Sequence, residues 1–413
     1  MPTTTDSNVN PIQVHIATKR GVLIIVENLP VPFDRRVWQE ANALREAGYV
    51  VSVICPKGKG HTSSYEELQG IHIYRHTLPV EASGAAGYLL EYSAALFWEF
   101  LLSIKVLRNH GFDAIHACNP PDLIFIIAGF YKFFFRKKFV FDQHDLNPEL
   151  YEIKFGRKTG LFYKLLCLFE RLTFKYADAS IATNETFKQI AINRGGMPPD
   201  KVAIVKSYPD FTRFRAVPAD PALRKSFKFM IGYIGIMGEQ DGVDILIRAM
   251  AQILKVSKRT DIGCMIIGSG SELENLRTLA NDLGVNDYVM FTGYLSGETL
   301  LTHLCSLDIG IIPDPPSPCN DKLSMNKVFE YMALGLPFVQ FDLAQSRLEA
   351  GDAGLVAKEP TPQAMADAIR SLLDNEPLRH QMSKIGKERA HREFRWETEK
   401  QTLIEHYRKL FSE

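Results

Sequence analysis

The chain has 413 residues, 46% of them hydrophobic and 23% charged, the balance of a soluble globular protein too long for one ordinary core. Its formal net charge is zero and its isoelectric point about 7.2, so no overall field recommends nucleic acid or an acidic substrate. Six cysteines are scattered without CxxC or Cys/His ligand spacing, which points to a reducing compartment and away from structural zinc.

Residues 1–18 read as a disordered polar tail without the apolar segment of a signal peptide. From Gly21 onward, buried strands alternate with amphipathic helices. GVLIIVE is a strand, and the loop ENLPVPFDRRVWQEA carries Glu27, Asp34, Arg35 and Arg36. Asp34 is placed to cap a helix over Arg35 to Ala47, with one arginine facing either a cleft or solvent. YVVSVIC is a second strand. IHIYRHT, residues 71–77, alternates in period two and reads as a more exposed one. A helix follows from Leu89 to Asn109, then short strands at DAIHAC, KFVFDQ and ASIATN with helices between them.

The loop FDQHDLNPELY sets His144, Asp145 and Glu149 beyond the carboxyl end of a strand, where polar side chains are poor packing choices. These are candidate site residues, unless His144 bonds a backbone carbonyl and Asp145 caps the next helix. FYKFFFRKKF (130–139) and LFYKLLCLFERLTFKY (161–176) mix aromatics with Arg136, Lys137, Lys138, Lys164, Arg171 and Lys175, near Lys154, Arg157 and Lys158. Such a surface suits anionic lipid headgroups, the alternative being core helices with snorkelling lysines. No run reaches the roughly 20 apolar residues of a membrane span; Glu91, Glu99 and Lys132 interrupt the greasiest stretches. The expected location is cytoplasmic, at the inner face of the cell membrane.

Residues 206–221 have linker composition, and a second βα series follows. Its strands are FMIGYIG, IGCMIIGSG, YVMFTGYL and DIGIIP, and its helices run Val243 to Lys255, Glu272 to Leu283 and Glu298 to Ser306. GIMGEQDGVD leaves a strand and enters a helix, with Gly235 and Gly238 spaced to bring backbone N–H groups onto phosphate oxygens; IIGSGSE is a weaker candidate. LSMNKVFEYMALGLPFVQF reads as a helix capped by Ser324 and ended by Gly335, then a buried strand. Lys327 and Glu330 share one face of that helix. They are either a surface ion pair or, beside a helix N-terminus, a seat for a diphosphate and a ribose. Helices at 362–374, 377–391 and Trp396 to Phe411 close the chain.

Together, DRRVWQEANALREAGYVVSVICP, the QHD loop, IATNE, GIMGEQDGVDILI, IIGSGSELENL, MFTGYLS and NKVFEYMALGLPFV resemble the retaining glycosyltransferases of family four. The resemblance implies an α/β fold of two Rossmann-like domains facing a cleft (GT-B): an acceptor-binding domain over 19–206, a nucleotide-sugar-binding domain over 207–395, and a helix over 396–413 returning to the first. It implies a metal-independent hexosyl transfer, in polysaccharide biosynthesis, to a lipid-linked or saccharide acceptor. No cofactor is implied, the nucleotide-sugar being a substrate, with UDP favoured over GDP. Glu330 would hold the ribose, and Lys327 with the helix start at Asn326 the diphosphate. Gly235, Met237 and Gly238 would offer backbone donors. Thr292, Tyr294 and Leu295 would line the base pocket, and His144 would meet the donor sugar, with Asp145, Glu149, Arg35, Asp321 and Lys322 nearby. The chain departs from the family pattern in three places. Lys322 replaces a glutamate, Ile236 an arginine and Asp241 a lysine. The rival readings are an epimerase or phosphorylase of the same fold, and a non-catalytic partner subunit.

Overall fold

The structure is a computed structural model that describes residues 19–58, 60–77, 84–156, 158–211 and 214–412. The polar tail and Arg157 lie outside the described residues, as do the side chains of Glu91 and Lys154.

The first half runs β1 (Gly21–Ile25), α1 (Arg35–Glu46), β2 (Val50–Pro56), β3 (Tyr65–Leu68), β4 (Ile71–His76), α2 (Gly84–Asn109) and β5 (Ala114–Cys118). It continues α3 (Phe125–Phe135), β6 (Lys138–Gln143), α4 (Asn147–Phe155), α5 (Leu161–Tyr176), β7 (Ala179–Ala182), α6 (Glu185–Asn193) and β8 (Val202–Ile204). The second half runs β9 (Phe229–Ile236), α7 (Val243–Ser257), β10 (Ile262–Ser269), α8 (Leu273–Asp282), β11 (Val289–Gly293), α9 (Gly297–Cys305) and β12 (Ile309–Ile312). After these come α10 (Asn326–Leu334), β13 (Phe338–Gln340), α11 (Ala344–Ala350), β14 (Gly354–Val356), α12 (Pro362–Leu373), α13 (Glu376–Glu393) and α14 (Trp396–Ser412).

Each half builds one sheet, in the order β3-β4-β2-β1-β5-β6-β7-β8 and β11-β10-β9-β12-β13-β14. All pairings are parallel except β3 with β4. Helices cover both faces, so the central strands are apolar throughout rather than alternating. In β1, Val22 and Ile24 join the core beneath α1, while Leu23 and Ile25 join the one beneath α2 and α3. β10 divides likewise between the two faces of the second sheet. Fully burying such a side chain contributes about 1.5–3 kcal/mol.

β4 is a correction. It is largely buried, and the exposed alternating edge is β3, whose acidic YEEL pattern gave no apolar signal. α14 crosses back to the first half, placing Leu403, Tyr407 and Leu410 among Val22, Ile24, Val37 and Leu44.

Candidate active site

Both sheets present the carboxyl ends of their strands to one cleft, where loops of open α/β sheets gather ligands. On the second-domain side α10 stands at the mouth. Val328, Phe329, Tyr331 and Met332 anchor it in the core, and Gly335 ends it at φ 67°. Ser324 does not cap it. The capping position is Met325, without a side-chain cap bond, because the Ser324 hydroxyl donates to Glu349 at 2.6 Å and accepts from Asn184 at 3.1 Å. The amino end is therefore left without a side-chain acceptor, with Asn326 exposed.

Lys327 does not pair with Glu330. Its Nζ donates to Asp314 Oδ2 at 2.6 Å and lies 4.8 Å from the centre of the Tyr233 ring. The Tyr233 hydroxyl in turn donates to the Ile236 carbonyl at 2.6 Å, so Lys327 sits over the glycine loop. That loop rests on IIGSG, backbone to backbone. A Cβ on Gly268 would come within 1.8 Å of the Gly235 oxygen, and one on Gly270 within 2.3 Å of the Met237 oxygen. IIGSG is a buttress for the first loop. The Met237 N–H is spent on Ser269 O at 3.0 Å and its side chain is buried in the core. The Gly238 N–H donates to Asp241 Oδ2 at 2.9 Å. Burial raises the Asp241 pKa to about 6, against the pull of Lys327 and with a further push from Asp314.

The first-domain wall is a buried polar cluster. Arg36 donates to Asp142 through Nη2 at 2.6 Å and Nε at 3.1 Å, and to the Val205 carbonyl at 2.7 Å, with Glu40 at 3.1 Å. His144 Nε2 meets Asp142 Oδ2 at 2.5 Å, and its backbone N–H donates to Asn119 Oδ1 at 2.7 Å. So neither a backbone carbonyl nor Asp145 plays the structural part allowed for in that loop, and α4 has Leu146 at its capping position without a side-chain cap. Against the upward push of burial, Arg36 and His144 hold the Asp142 pKa well below the usual carboxylate range. Burial holds Glu40 well above it, and keeps His116 below the usual imidazole value. His116, Cys118 and Asp142 have ligand atoms within 4.8 Å of one another, but both Asp142 oxygens already face Arg36. That arrangement is an ion-pair core rather than a metal seat.

Several contacts join the halves. Arg35 donates to Glu330 across the cleft, with 59% of the arginine side chain exposed against 4% of the glutamate. Phe33 packs on Tyr294 with ring centres 4.8 Å apart. Glu149 binds Arg194 through both oxygens (2.8 and 3.2 Å) and Lys322 at 2.8 Å, which makes it a link between domains. Asp321 accepts from the Ala344 N–H at 2.7 Å and is turned away to α11. Thr292, Tyr294 and Leu295 lie at the end of β11, with Tyr294 exposed and Leu295 packed against the core. Asp145 is half-buried, and burial raises its pKa. The cleft thus brings together Arg35, Glu330, Lys327, Asp241, Tyr294 and the His144 loop.

Sequence reading overlooked Asp314, Tyr233, Phe33 and Asn184. Asp314 follows β12 after Pro313, so the rule that singled out His144 would have found it. Asn184 caps α6 through Phe187 N–H and also reaches the Lys322 carbonyl at 2.8 Å; its second contact depends on the domain arrangement.

Comparison with known proteins gives two family matches, "Glycosyltransferase Family 4" over residues 34–207 and "Glycosyl transferases group 1" over residues 228–375. A GDP-mannose-dependent alpha-(1-6)-phosphatidylinositol monomannoside mannosyltransferase of Mycobacterium tuberculosis is 30% identical over 199 residues, 46% of this chain. That alignment spans about half, 51%, of the relative's length. Among solved structures, sucrose-phosphate synthase from Thermosynechococcus elongatus superposes with a TM-score of 0.76 at 18% identity, over 95% of this chain and 100% of that one. Anabaena HepE in complex with UDP and glucose superposes with a TM-score of 0.70 at 16% identity, over 94% and 100%.

Proposed function

The chain belongs to the family-four glycosyltransferases, with the GT-B fold, and we propose that it moves a sugar, with retention, from a nucleoside diphosphate to a lipid-linked or saccharide acceptor in polysaccharide biosynthesis. The observation that carries this reading is the uncapped amino end of α10, opening into the cleft with Lys327 on one side and buried Glu330 on the other. Backbone N–H groups and a lysine at a helix start favour a dianion. A carboxylate one turn on accepts hydrogen bonds from a ribose diol.

As the sugar leaves, negative charge collects on the diphosphate. Fixed dipoles and Lys327 stabilise that state more than the ground state, which is what accelerates the step. His144 is oriented by Asp142 through Nε2, leaving Nδ1 for the donor sugar. Thr292, Tyr294 and Leu295 receive the base, with Phe33 closing on Tyr294. No metal is needed in this reading. The donor is UDP-linked, and GDP is the competing arm because the mycobacterial relative is named for GDP-mannose.

The acceptor reaches the first domain from a membrane surface. α2, α3 and α5 expose Phe97, Trp98, Ile126, Phe133, Phe134, Leu161 and Phe162, with Phe133 at 80%. Beside them Arg136, Lys137 and Lys138 share a pocket of about 520 Å³ with Lys19 and Arg20. Aromatics at the interface and cations at the headgroups suit peripheral binding. No helix among the described residues is long and apolar enough to cross a membrane.

A thermal-shift screen against UDP, GDP and ADP tests the donor site. A ligand at 100 times its dissociation constant stabilises by about 2.7 kcal/mol. Glu330→Ala should abolish that shift for the ligand found, and an undiminished shift would place the donor elsewhere.

A further inference from the structure

The second-domain half of the cleft has too little positive charge for the ligand assigned to it. Lys327 is already paired with Asp314, and Asp241 and Glu330 stand close by. A diphosphate would add two more negative charges. The other cations near the cleft are engaged: Lys206 with Glu349 at 3.0 Å, and Lys322 with Glu149 at 2.8 Å. Arg347 pairs with Asp342 at 2.7 Å, both exposed.

Arg35 differs from these. It occupies the first position of α1, where the positive end of the helix disfavours a cation, and no acidic residue follows it in the first turn. Its neighbour Arg36 is compensated from within the first domain by Asp142. Arg35 instead extends across the cleft to Glu330, the carboxylate read as the ribose site, and most of its side chain stays exposed. Packing does not hold it there; the ion pair does. Ribose hydroxyls arriving at Glu330 would compete for that carboxylate and release a mobile guanidinium within a side chain's reach of Lys327.

Resting on the reading of Glu330 as the ribose carboxylate, we propose that Arg35 is a catalytic residue supplied by the first domain: displaced from Glu330 by the donor, it closes on the diphosphate as the second cation. The planar fork of arginine matches two phosphate oxygens at once. In the transfer, the bond between the anomeric carbon and the phosphate oxygen breaks, and its electron pair stays on that oxygen. The acceptor oxygen bonds to the anomeric carbon, and the acceptor proton passes to the released phosphate. Arg35 remains protonated throughout and neutralises charge on the leaving group.

Calorimetry of wild type and Arg35→Ala with UDP, GDP and ADP, and with the corresponding nucleosides by competition, separates the possibilities. Arg35→Ala should weaken the binding diphosphate by about 10- to 100-fold, the range of one charge-assisted hydrogen bond or pair. Nucleoside affinity should hold or rise, because Glu330 loses its competitor. A merely structural role for Arg35 would move both affinities in the same direction, and that result, or no change in either, overturns the inference. If wild type binds none of the three diphosphates, the donor-site reading falls and this inference with it. If wild type binds one and Arg35→Ala leaves the diphosphate-to-nucleoside ratio unaltered, only the inference falls. Arg35→Ala leaves the buried Glu330 carboxylate without its cation, so a lower melting temperature is expected, and retained nucleoside binding shows that the fold of the site is intact.

Discussion

The two walls of the cleft use the same residue types to opposite ends. On the first-domain wall, Arg36, Asp142, Glu40 and His116 form a cluster buried beneath the cleft, with half-buried His144 at its edge and Tyr407 of α14 donating to or accepting from His116 at 2.8 Å. Its charges oppose one another within the cluster: Arg36 holds the Asp142 pKa well down, while burial favours the uncharged forms of Glu40 and His116. On the second-domain wall, Lys327 faces Asp314, Asp241 and Glu330 at a helix end left open, and the balance is negative. A closed cluster is scaffolding that fixes the His144 loop. An open cluster that cannot balance itself is where a ligand and a partner domain complete the set.

The most damaging way to break this contrast is to open the closed cluster. Arg36→Ala leaves Asp142 buried without its cation, and breaking one side of a buried pair costs about 3–5 kcal/mol. A fall of that size in unfolding free energy, read from the urea midpoint, is expected. An unchanged midpoint would mean that the cluster does not hold the first domain together.

Lys327 should behave differently. Lys327→Ala should lower kcat by about 10²–10³, the effect of removing one group that stabilises transition-state charge. It also strands Asp314, so some stability is lost. Adding Asp314→Asn should return the melting temperature without returning turnover. Recovery of both would make Lys327 a structural partner of Asp314 and nothing more.

Asp241 gives a smaller, pH-dependent effect. Its pKa is raised to about 6 from an ordinary aspartate value, so the folded state takes up a proton that the unfolded chain does not. Stability from this group is therefore greatest at low pH and is lost as pH rises through about 6. Donor binding should follow the same sign. A nucleotide-sugar is a diphosphate diester of fixed charge, so its affinity should tighten several-fold, at most about tenfold per pH unit, between pH 7 and 5. Asp241→Asn should bind well at both pH values and flatten the profile. A profile unaffected by that substitution would assign the titration to another group.

The architecture could be read from the chain because both sheets are parallel and buried, so each strand is a short apolar run and each helix an amphipathic one. Elements without such a signature escaped, among them the acidic edge strand YEEL, the seven-residue α11, and the three-residue strands Val202–Ile204 and Gly354–Val356. In the site, Lys327, Glu330 and the His144 loop were visible because polar groups beyond a strand or on a helix start are conspicuous. Their partners were not. Ser324 satisfies every local rule for a helix cap, yet Glu349 and Asn184, distant in sequence, claim its hydroxyl. The donors assigned to the glycine loop at Met237 and Gly238 are likewise taken, by Ser269 and Asp241. Local geometry proposes a partner, and tertiary packing decides which one is nearer.

Lys322 sharpens the comparison at its weakest point, because it lies where the two walls meet and its role can be read either way. By resemblance it occupies a position that grips the donor sugar. In the fold its Nζ instead holds Glu149, and that carboxylate is already bound through both oxygens by Arg194. Removing Lys322 thus leaves no carboxylate unpaired. The Lys322 side chain is about a third exposed, so solvent screening applies, and Lys322→Ala should change stability by no more than about 1 kcal/mol. If Lys322 is only a link between domains, KM for the donor and kcat should each stay within about twofold, well below the tenfold that 1.4 kcal/mol would represent. A tenfold loss of kcat at unchanged stability would instead put its ammonium on the sugar. Lys322→Glu separates the two readings further. It sets a carboxylate against Glu149 and should loosen the domains if the contact is a link, while restoring the usual residue if the position is a sugar site. Weaker donor affinity in that variant, with Lys322→Ala unaffected, is the outcome expected for a link.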